Sequence, residues 1–375
     1  MSRLVLTGAR LHDGERARPE RALAVEDGRI VAWLDDVPDR ALDLGGGWLA
    51  PGLVDAQVNG GGGAMLGEGA PDAVERIAAA HARLGALHVL PTLVTSTPET
   101  TRAVVADAIA ACGRGVPGVA GLHLEGPHLS AAKRGAHPAH LIRPMTDEDE
   151  GALLEAAERL PALLVTVAPE SVAPERIGRL AAGGVRVFLG HTDASFEECM
   201  ACFEAGAAGA THLYNAMSGP GSRAPGLVAA ALEAGVRWGL IADGHHVHPA
   251  SIRTALRATR PPGAFLVSDA MGVAGTDADG FEWGGRRIER RGGRLTLPDG
   301  TLAGADLDLP GAIGTMIARC GVAMEEAIRM ATSAPADAIG RPALGRVRAG
   351  GAADLVHLSD GGELLGAWRA GAGPA

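Results

Sequence analysis

Residues 118–126 read GVAGLHLEG, an apolar run that ends on a carboxylate side chain and a glycine. An almost continuous apolar run bounded by glycine is typical of a strand that is buried on both faces, as in a parallel sheet. VRVFLGHT at residues 185–192 and AFLVSDAM at residues 264–271 have the same form, with a polar side chain near the end of the apolar run. The three stretches predict parallel strands that each end in a polar side chain.

Five further apolar runs lie outward from these stretches along the chain, and helix-like amphipathic segments separate them. The runs are LAPGLVDAQV (49–58), ALHVLPTLVT (86–95), LLVTVAPE (163–170), AGATHLYN (208–215) and WGLIADGHH (238–246). Alternation of buried-type strands with helices is the signature of a parallel α/β sheet. Eight such units without an obvious domain break predict a (β/α)8 TIM-like barrel over residues 49–341, and an open doubly wound sheet is the alternative.

Both chain ends have a different character, with short strand-like segments broken by turn signals. The Asp27-Gly dipeptide is a strong hairpin signal between two of these segments. After a long helical stretch from about residue 309 to 338, strand-like character returns near the chain end. We therefore predict a small β-sandwich domain built from both termini, residues 1–48 plus 342–375. A hairpin-like insertion at residues 281–304 follows the eighth strand, where it could help to form a substrate pocket.

The composition excludes several classes of function. Of the 375 residues, 34 are Lys or Arg and 44 are Asp or Glu, and this net charge of −10 argues against nucleic acid or an anionic membrane as a partner. Apolar residues make up 47% of the chain, which is enough for a large core. Four cysteines are too few for a disulfide framework, and Cys199 and Cys202 lie inside a helix-like segment. Because no signal-peptide pattern or membrane-spanning apolar run is evident, we expect a cytoplasmic protein.

Polar side chains suited to metal binding or proton transfer follow four of the predicted strands. They are Glu125, His191, His212 and Asp269. Active sites of such barrels lie at the carboxyl ends of the strands, so these side chains converge if the barrel closes. Two imidazoles and one carboxylate that leave a fourth position open form a catalytic zinc-type site, which lowers the pKa of water to ~7. Asp269 is then the candidate for proton transfer in a metal-assisted hydrolysis, with helix capping as its alternative role.

A set of motifs narrows this prediction. In chain order they are PGLVDAQVNGGGG, GLHLEGPHLS, KRGAH, GHTDAS, ATHLYNAMSG, RAPGL, IADGHHV, LVSDAMGVAGT, LAGADL and GGAADLV, from about residue 50 to 356. With these motifs the chain resembles the N-acetylglucosamine-6-phosphate deacetylase family within the amidohydrolase superfamily. The resemblance implies that Glu125, His191 and His212 hold the metal and that Asp269 is the catalytic acid and base.

The resemblance also implies a substrate site. Its members would be Ala136, His137, Asn215, Ala216, Arg223, His246, Leu302, Ala303 and Gly304. Within this set, Arg223 and His246 are expected at the sugar phosphate, and His137 is expected to polarise the acetamide carbonyl. His245 and His248 compete with His246 for its role, and only the motif selects between them. The reaction implied is hydrolysis of N-acetylglucosamine 6-phosphate to glucosamine 6-phosphate and acetate.

Departures from the family pattern refine the expected cofactor. Many amidohydrolases have a His-x-His pair after strand one, where this chain has Gln57 and Asn59. Neutral amides are poor transition-metal ligands, so we expect one divalent metal ion per subunit, zinc or iron. His128 and His245 replace residues that are usually apolar, which leaves the sugar selectivity open.

Two alternative functions accompany this expectation. The chain could deacetylate N-acetylgalactosamine 6-phosphate or another N-acyl amino-sugar phosphate. From a different class, it could be a non-catalytic scaffold with an amidohydrolase fold, although such relatives generally lose metal ligands or the aspartate after strand eight. A homodimer is expected by analogy with the family.

Overall fold

A computed structural model describes residues 3–372. The first two and last three residues of the predicted β domain therefore lie outside the described part of the chain. Seven strands precede the barrel helices: β1 (Arg3–Thr7), β2 (Arg10–His12), β3 (Ala17–Arg18), β4 (Ala22–Glu26), β5 (Arg29–Leu34), β6 (Leu42–Asp43) and β7 (Trp48–Pro51). Asp27 and Gly28 join β4 to β5 with φ angles of 46° and 76°, as the hairpin prediction requires.

The barrel sheet follows, with a small hairpin after its first strand. Its elements in chain order are β8 (Leu53–Val58), the hairpin strands β9 (Gly60–Gly61) and β10 (Ala64–Met65), then β11 (Ala86–Val94), β12 (Leu122–Glu125), β13 (Leu163–Val167), β14 (Arg186–Leu189), β15 (Gly209–Ala210), β16 (Arg237–Leu240) and β17 (Ala264–Leu266). The strands β8 and β11 to β17 form one parallel sheet in sequence order. A parallel bridge between Val58 and Ala270 joins its two edges. The sheet is therefore closed, and the barrel prediction is confirmed over the open sheet.

Seven helices cover the outside of the barrel. They are α1 (Ala73–Arg83), α2 (Pro98–Gly113), α3 (Asp147–Arg159), α4 (Pro174–Ala182), α5 (Phe196–Ala205), α6 (Gly226–Ala234) and α7 (Pro249–Ala258). Short 3-10 turns at Ala131–Lys133 and Ala139–Leu141 lie in the loop after β12. Cys199 and Cys202 are buried inside α5, as predicted, and burial raises the pKa of their thiols to about 12 and about 11. Over residues 3–372, every helix is too short or too polar to cross a membrane.

Alternate side chains of each barrel strand face opposite layers. Leu122 and Leu124 of β12 pack in the core beneath the helices, whereas His123 and Glu125 of the same strand point into the barrel. A second apolar cluster lies inside the barrel. It extends from Ala120 and Ala162, just before β12 and β13, to Phe188 and Phe265. This alternation also brings polar side chains into the interior, and those at the carboxyl ends of the strands face one another.

Four antiparallel strands form the insertion after the barrel, where the sequence predicted a hairpin. They are β18 (Gly280–Trp283), β19 (Arg286–Arg291), β20 (Arg294–Thr296) and β21 (Leu302–Ala305). Two Gly-Gly turns and one longer turn connect them, which is why the segment folds back three times. The Ala305 amide donates to the Asp269 carbonyl at 2.9 Å and ties the insertion to the end of β17.

The helical stretch that follows is broken into three helices, α8 (Leu309–Cys320), α9 (Met324–Ala331) and α10 (Ser333–Ala338). Gly321, at φ 70°, ends α8 in the left-handed conformation, a common helix stop. Two last strands, β22 (Leu355–Leu358) and β23 (Leu364–Trp368), complete the chain as far as it is described.

Strands from both ends of the chain form two sheets outside the barrel. One has the order β5-β4-β1-β6, and the other has the order β23-β22-β7-β2-β3. Leu23 and Ile30 from the first sheet share a core cluster with Leu49, Leu355 and Trp368 from the second. The β-sandwich prediction is confirmed in its architecture, while the domain boundaries 1–48 and 342–375 stay a prediction.

Candidate metal centre and active site

The proposed ligands leave the barrel at the ends of neighbouring strands. Glu125 is the last residue of β12, His191 follows β14 by two residues, and His212 follows β15 by two. The backbones of His191 and His212 have φ angles of 47° and 27°, in a region that residues other than glycine seldom occupy. Such strain persists only where surrounding structure imposes it, and it concentrates at functional sites.

The three side chains meet around the Glu125 carboxylate. Its Oε1 lies 2.9 Å from His212 Nε2 and 3.3 Å from His191 Nε2. The three candidate ligand atoms all lie within 4.8 Å of one another, and all three residues are buried. His191 Nδ1 donates to the Lys133 carbonyl at 2.9 Å, and this bond orients the ring with Nε2 toward Glu125. A carboxylate and two imidazoles of this kind are the donors that zinc and iron accept.

The electrostatics of the cluster also suit a cation. Burial opposes the charge of Glu125, but hydrogen bonds from His137, His191 and His212 outweigh it and hold the pKa of Glu125 well below its usual value. His212 Nδ1 is a buried polar atom with no hydrogen-bond partner in residues 3–372. A buried polar atom of this kind needs an explanation, and an ion or water is a common one. The residues present therefore fit a divalent metal ion.

Asp269 stands beside this cluster in a network of amides. Its Oδ1 accepts from Asn59 Nδ2 at 2.7 Å and from Gln57 Nε2 at 3.1 Å, and Gln57 Nε2 also lies 3.1 Å from Glu125 Oε1. Burial, reinforced by the charge of Glu125, raises the pKa of Asp269 to about 6. A carboxyl group with such a pKa can both accept and donate a proton near neutrality. Turns and not a helix follow Asp269, so the alternative of helix capping is wrong.

Gln57 and Asn59 have a role that sequence reasoning missed. The residue types indicated only that they are poor metal ligands, whereas in the structure they donate to the carboxylates of Glu125 and Asp269. Their position after strand one was the available signal, because every strand end of the barrel points to the same site.

A cavity of about 410 Å³ opens above these residues. Its walls include the four proposed catalytic and metal-binding residues and eight of the nine proposed substrate residues: Ala136, His137, Asn215, Ala216, His246, Leu302, Ala303 and Gly304. His137 Nε2 lies 3.5 Å from Glu125 Oε2, and His137 Nδ1 lies 2.8 Å from Thr95 Oγ1. Burial, followed by the nearby His191, lowers the pKa of His137 to about 4, so its ring is neutral at pH 7.

The three histidines after β16 have separate environments. His246 lines the cavity, and its Nδ1 lies 2.6 Å from Asp243 Oδ2. His245 is exposed and accepts from Arg294 Nε at 3.1 Å, while His248 is exposed and caps α7. The structure thus brings His246 alone of the three to the cavity wall.

Arg223 is the proposed substrate residue that the structure does not bring to the cavity. It lies on an exposed loop before α6 and makes no hydrogen bond or ion pair with residues 3–372. His123, two residues before Glu125 in β12, lies one layer lower in the barrel, where its Nε2 is 2.8 Å from Thr166 Oγ1. Lys133 lines the cavity and pairs with Asp193.

The sequence did not identify two further residues of the site. Thr95 contacts His137 and donates to the Glu125 carbonyl at 3.3 Å, and its position at the end of an apolar run could have indicated it. Trp283 of the insertion also lines the cavity. The position of the insertion after the eighth strand predicted that it would help to form the pocket, but the sequence did not indicate that Trp283 would be the residue of β18 to do so.

A closed (β/α)8 barrel that holds two imidazoles, a glutamate and an aspartate at its strand ends defines a class of metal-dependent hydrolases. The sequence profile of the Amidohydrolase family matches residues 48–371, and the chain belongs to this metal-dependent family.

Individual relatives agree with this assignment. The chain is 39% identical over 379 residues to an N-acetylgalactosamine-6-phosphate deacetylase from Shewanella sp. (strain ANA-3), covering 98% of this chain and 95% of the relative. It superposes on the crystal structure of an N-acetylglucosamine-6-phosphate deacetylase from Pasteurella multocida with a TM-score of 0.93, 31% identity and 99% coverage of both chains. A mutant N-acetyl-D-glucosamine-6-phosphate deacetylase from Mycobacterium smegmatis, in complex with N-acetyl-D-glucosamine-6-phosphate, gives a TM-score of 0.91 at 32% identity, covering 100% of this chain and 99% of that one.

Proposed function

We propose that the chain hydrolyses the acetamide of N-acetylglucosamine 6-phosphate to glucosamine 6-phosphate and acetate. One observation carries the proposal: Glu125, His191 and His212 meet in a cavity that Asp269 also faces. The relatives support the same chemistry, because deacetylases of both amino-sugar phosphates share the fold and most of the sequence length with this chain.

Asp269 moves the proton in this mechanism. Glu125, His191 and His212 would hold a divalent ion, zinc or iron, which would supply a Lewis acid and lower the pKa of water. Asp269 accepts a proton from the water that attacks the acetamide carbon, and it then delivers this proton to the amine nitrogen as the C–N bond breaks. The pKa of about 6 that burial gives Asp269 suits both steps near neutrality. Gln57 and Asn59 hold its carboxyl group in place.

His137 acts on the other side of the scissile carbon. In this mechanism the Thr95 hydroxyl turns its one proton from the Glu125 carbonyl to His137 Nδ1, so the neutral ring carries its own proton on Nε2. An Nε2 proton can donate to the carbonyl oxygen, where negative charge develops during attack. We infer that this pairing with Thr95 sets which nitrogen of His137 faces the substrate.

The sugar phosphate binds farther from the metal ligands than the acetamide does. Asn215, Ala216 and Leu302–Gly304 supply walls for the sugar, and His246 faces its phosphate. Arg223 reaches the phosphate from outside, and a homodimer explains how: the exposed Arg223 of one copy serves the cavity of the neighbouring copy. We also propose a cytoplasmic location, since the four cysteines of the chain are free thiols.

N-acetylgalactosamine 6-phosphate is the second candidate substrate. The observation that favours it is the 39% identity to the Shewanella sp. deacetylase, which exceeds the 31% and 32% to the two solved structures reported above. The two sugars differ only in the direction of one hydroxyl group, so the same metal cluster would serve both.

Acetate release from both sugar phosphates, with and without a chelator, tests the proposal. We expect turnover with the purified protein, loss of turnover after chelation, and recovery on adding zinc or iron. Protein that binds no metal and releases no acetate from either sugar after metal addition would identify a non-catalytic scaffold instead.

A further inference from the structure

Trp283, at the end of β18, lines the cavity and carries one hydrogen-bond donor, the indole N–H. The residue is 7% exposed, yet its indole nitrogen makes no hydrogen bond with residues 3–372. Indole N–H groups usually find a partner when buried, as Trp238 does by donating to Thr259 Oγ1 at 3.0 Å. The indole nitrogen of Trp283 is not fully enclosed by the protein. The N–H therefore lies in the small exposed part of this side chain.

The indole ring is held in place from two sides. Arg286 lies over it, with Cζ at 5.3 Å from the ring centroid, and the same guanidinium donates from Nη2 to the Ala136 carbonyl at 3.0 Å. Met271 and Ala303 belong to the same buried cluster as Trp283. Arg286 therefore joins the insertion to the loop after β12, and the indole is fixed before any ligand arrives. A donor that is fixed in advance costs less entropy when it binds.

We propose that Trp283 is a specificity-determining residue whose indole N–H donates to an oxygen of the amino-sugar phosphate, either a ring hydroxyl or a phosphate oxygen. This inference rests on the proposed function. The acetamide must lie near Glu125 and Asp269, at the carboxyl ends of the barrel strands, whereas Trp283 belongs to the inserted sheet that follows the barrel. The accepting oxygen therefore lies on a part of the substrate remote from the bond that breaks.

Trp283→Phe tests the proposal, because phenylalanine keeps an aromatic ring and loses the donor. Trp33→Phe is a matched control: Arg18 lies over the Trp33 ring at 5.3 Å, but Trp33 is in β5, away from the cavity. For Trp283→Phe we expect KM to rise by about tenfold with kcat little changed, since a remote contact acts on binding. Trp33→Phe should behave like the unmodified chain. Unchanged kinetics of Trp283→Phe, or an equal defect in both variants, would overturn the proposal.

Substrate analogues locate the accepting oxygen. The variant and the unmodified holoenzyme are compared on sugar phosphates that lack single ring hydroxyls and on the N-acetyl sugar without phosphate. The difference between the two proteins should vanish for the one analogue that lacks the acceptor, and a difference that persists on every analogue would overturn the inference.

The outcome for the unmodified protein separates the two claims. If it releases acetate from neither epimer and binds neither by calorimetry, the proposed function fails and this inference falls with it. If the unmodified protein is active and Trp283→Phe has the same kinetics, the inference alone fails.

Discussion

The two ends of the barrel are built from the same eight strands but hold opposite kinds of side chain. At the amino end, apolar groups from several strands pack together with α10, and Phe188 meets Phe265 edge to face at 6.1 Å. At the carboxyl end, carboxylates, imidazoles and amides are buried against one another. Five of the seven non-glycine residues with positive φ in the described chain also lie there: His191, His212, Tyr214, Ala216 and Asp269.

This difference indicates a division of labour along each strand. The amino end is well packed and its polar groups are few, so it contributes to the stability of the fold. The carboxyl end contains strained backbone and polar atoms, such as Asn59 Oδ1, that have no partner in the described part of the chain, and both features lower stability. Substitutions at the carboxyl end should therefore change chemistry, whereas substitutions at the amino end should change stability. The predictions below test this contrast.

Glu125→Gln should have the largest effect. A neutral amide is a poor metal ligand, and the two histidines would lose the carboxylate that they contact, so we expect loss of bound metal and of turnover. Metal content by mass spectrometry and acetate release measure both. Chelated unmodified protein is the control for stability, and its melting temperature should match that of the variant. Full metal content and normal turnover in the variant would contradict the role of Glu125 as a metal ligand.

Asp269→Asn should lower kcat by about 10²–10⁴-fold, the usual contribution of a general acid and base, while metal content stays normal. Asparagine has nearly the same shape and tolerates the φ angle of 52° at this position, so the melting temperature should not fall. Near-normal turnover in a folded, metal-bound variant would contradict the role of Asp269.

Leu164→Ala tests the amino end. Leu164 is 2% exposed and lies in the apolar cluster inside the barrel, so its truncation should lower the free energy of unfolding by about 2–5 kcal/mol. Protein that remains folded should keep its kcat and KM. Denaturant unfolding and steady-state kinetics give the two readouts, and a large kinetic defect with intact stability would reverse the proposed contrast.

Arg223→Ala should have the smallest effect and belongs to neither end of the barrel. It should raise KM for the phosphorylated substrate by about tenfold, equivalent to roughly 1.4 kcal/mol of binding, with kcat less affected. KM for the sugar without its phosphate should not change. Equal activity of the unmodified protein on phosphorylated and unphosphorylated sugar would contradict a phosphate site.

Periodicity and strand-end position predicted the architecture and the central cluster. Buried apolar runs with helices between them predict the barrel directly, because a parallel sheet covered by helices buries such strands on both faces. The same geometry made Glu125, His191 and His212 neighbours before any distance was known. The motifs were needed to select His246 from three adjacent histidines.

Contacts between distant backbone segments could not be predicted. The Lys133 carbonyl fixes the ring of His191 across 58 residues of sequence, and Arg286 reaches the Ala136 carbonyl across 150. Neither acceptor depends on the side chain of its residue, so the sequence carries no trace of the contact. The positive φ angles were hidden for the same reason, because tertiary contacts impose them on residues that do not prefer them.

The place where the barrel closes determines how much of the chain must be synthesised before the site is complete. The seam consists of the Asp269 amide donating to the Gln57 carbonyl at 3.0 Å and the Asn59 amide donating to the Ala270 carbonyl at 2.9 Å, with the bridge from Val58. Gln57 and Asp269 stand 212 residues apart in the chain. A ribosome must therefore complete the eighth strand before either carboxylate has its full set of neighbours. Chains that end before this strand should therefore lack hydrolytic activity.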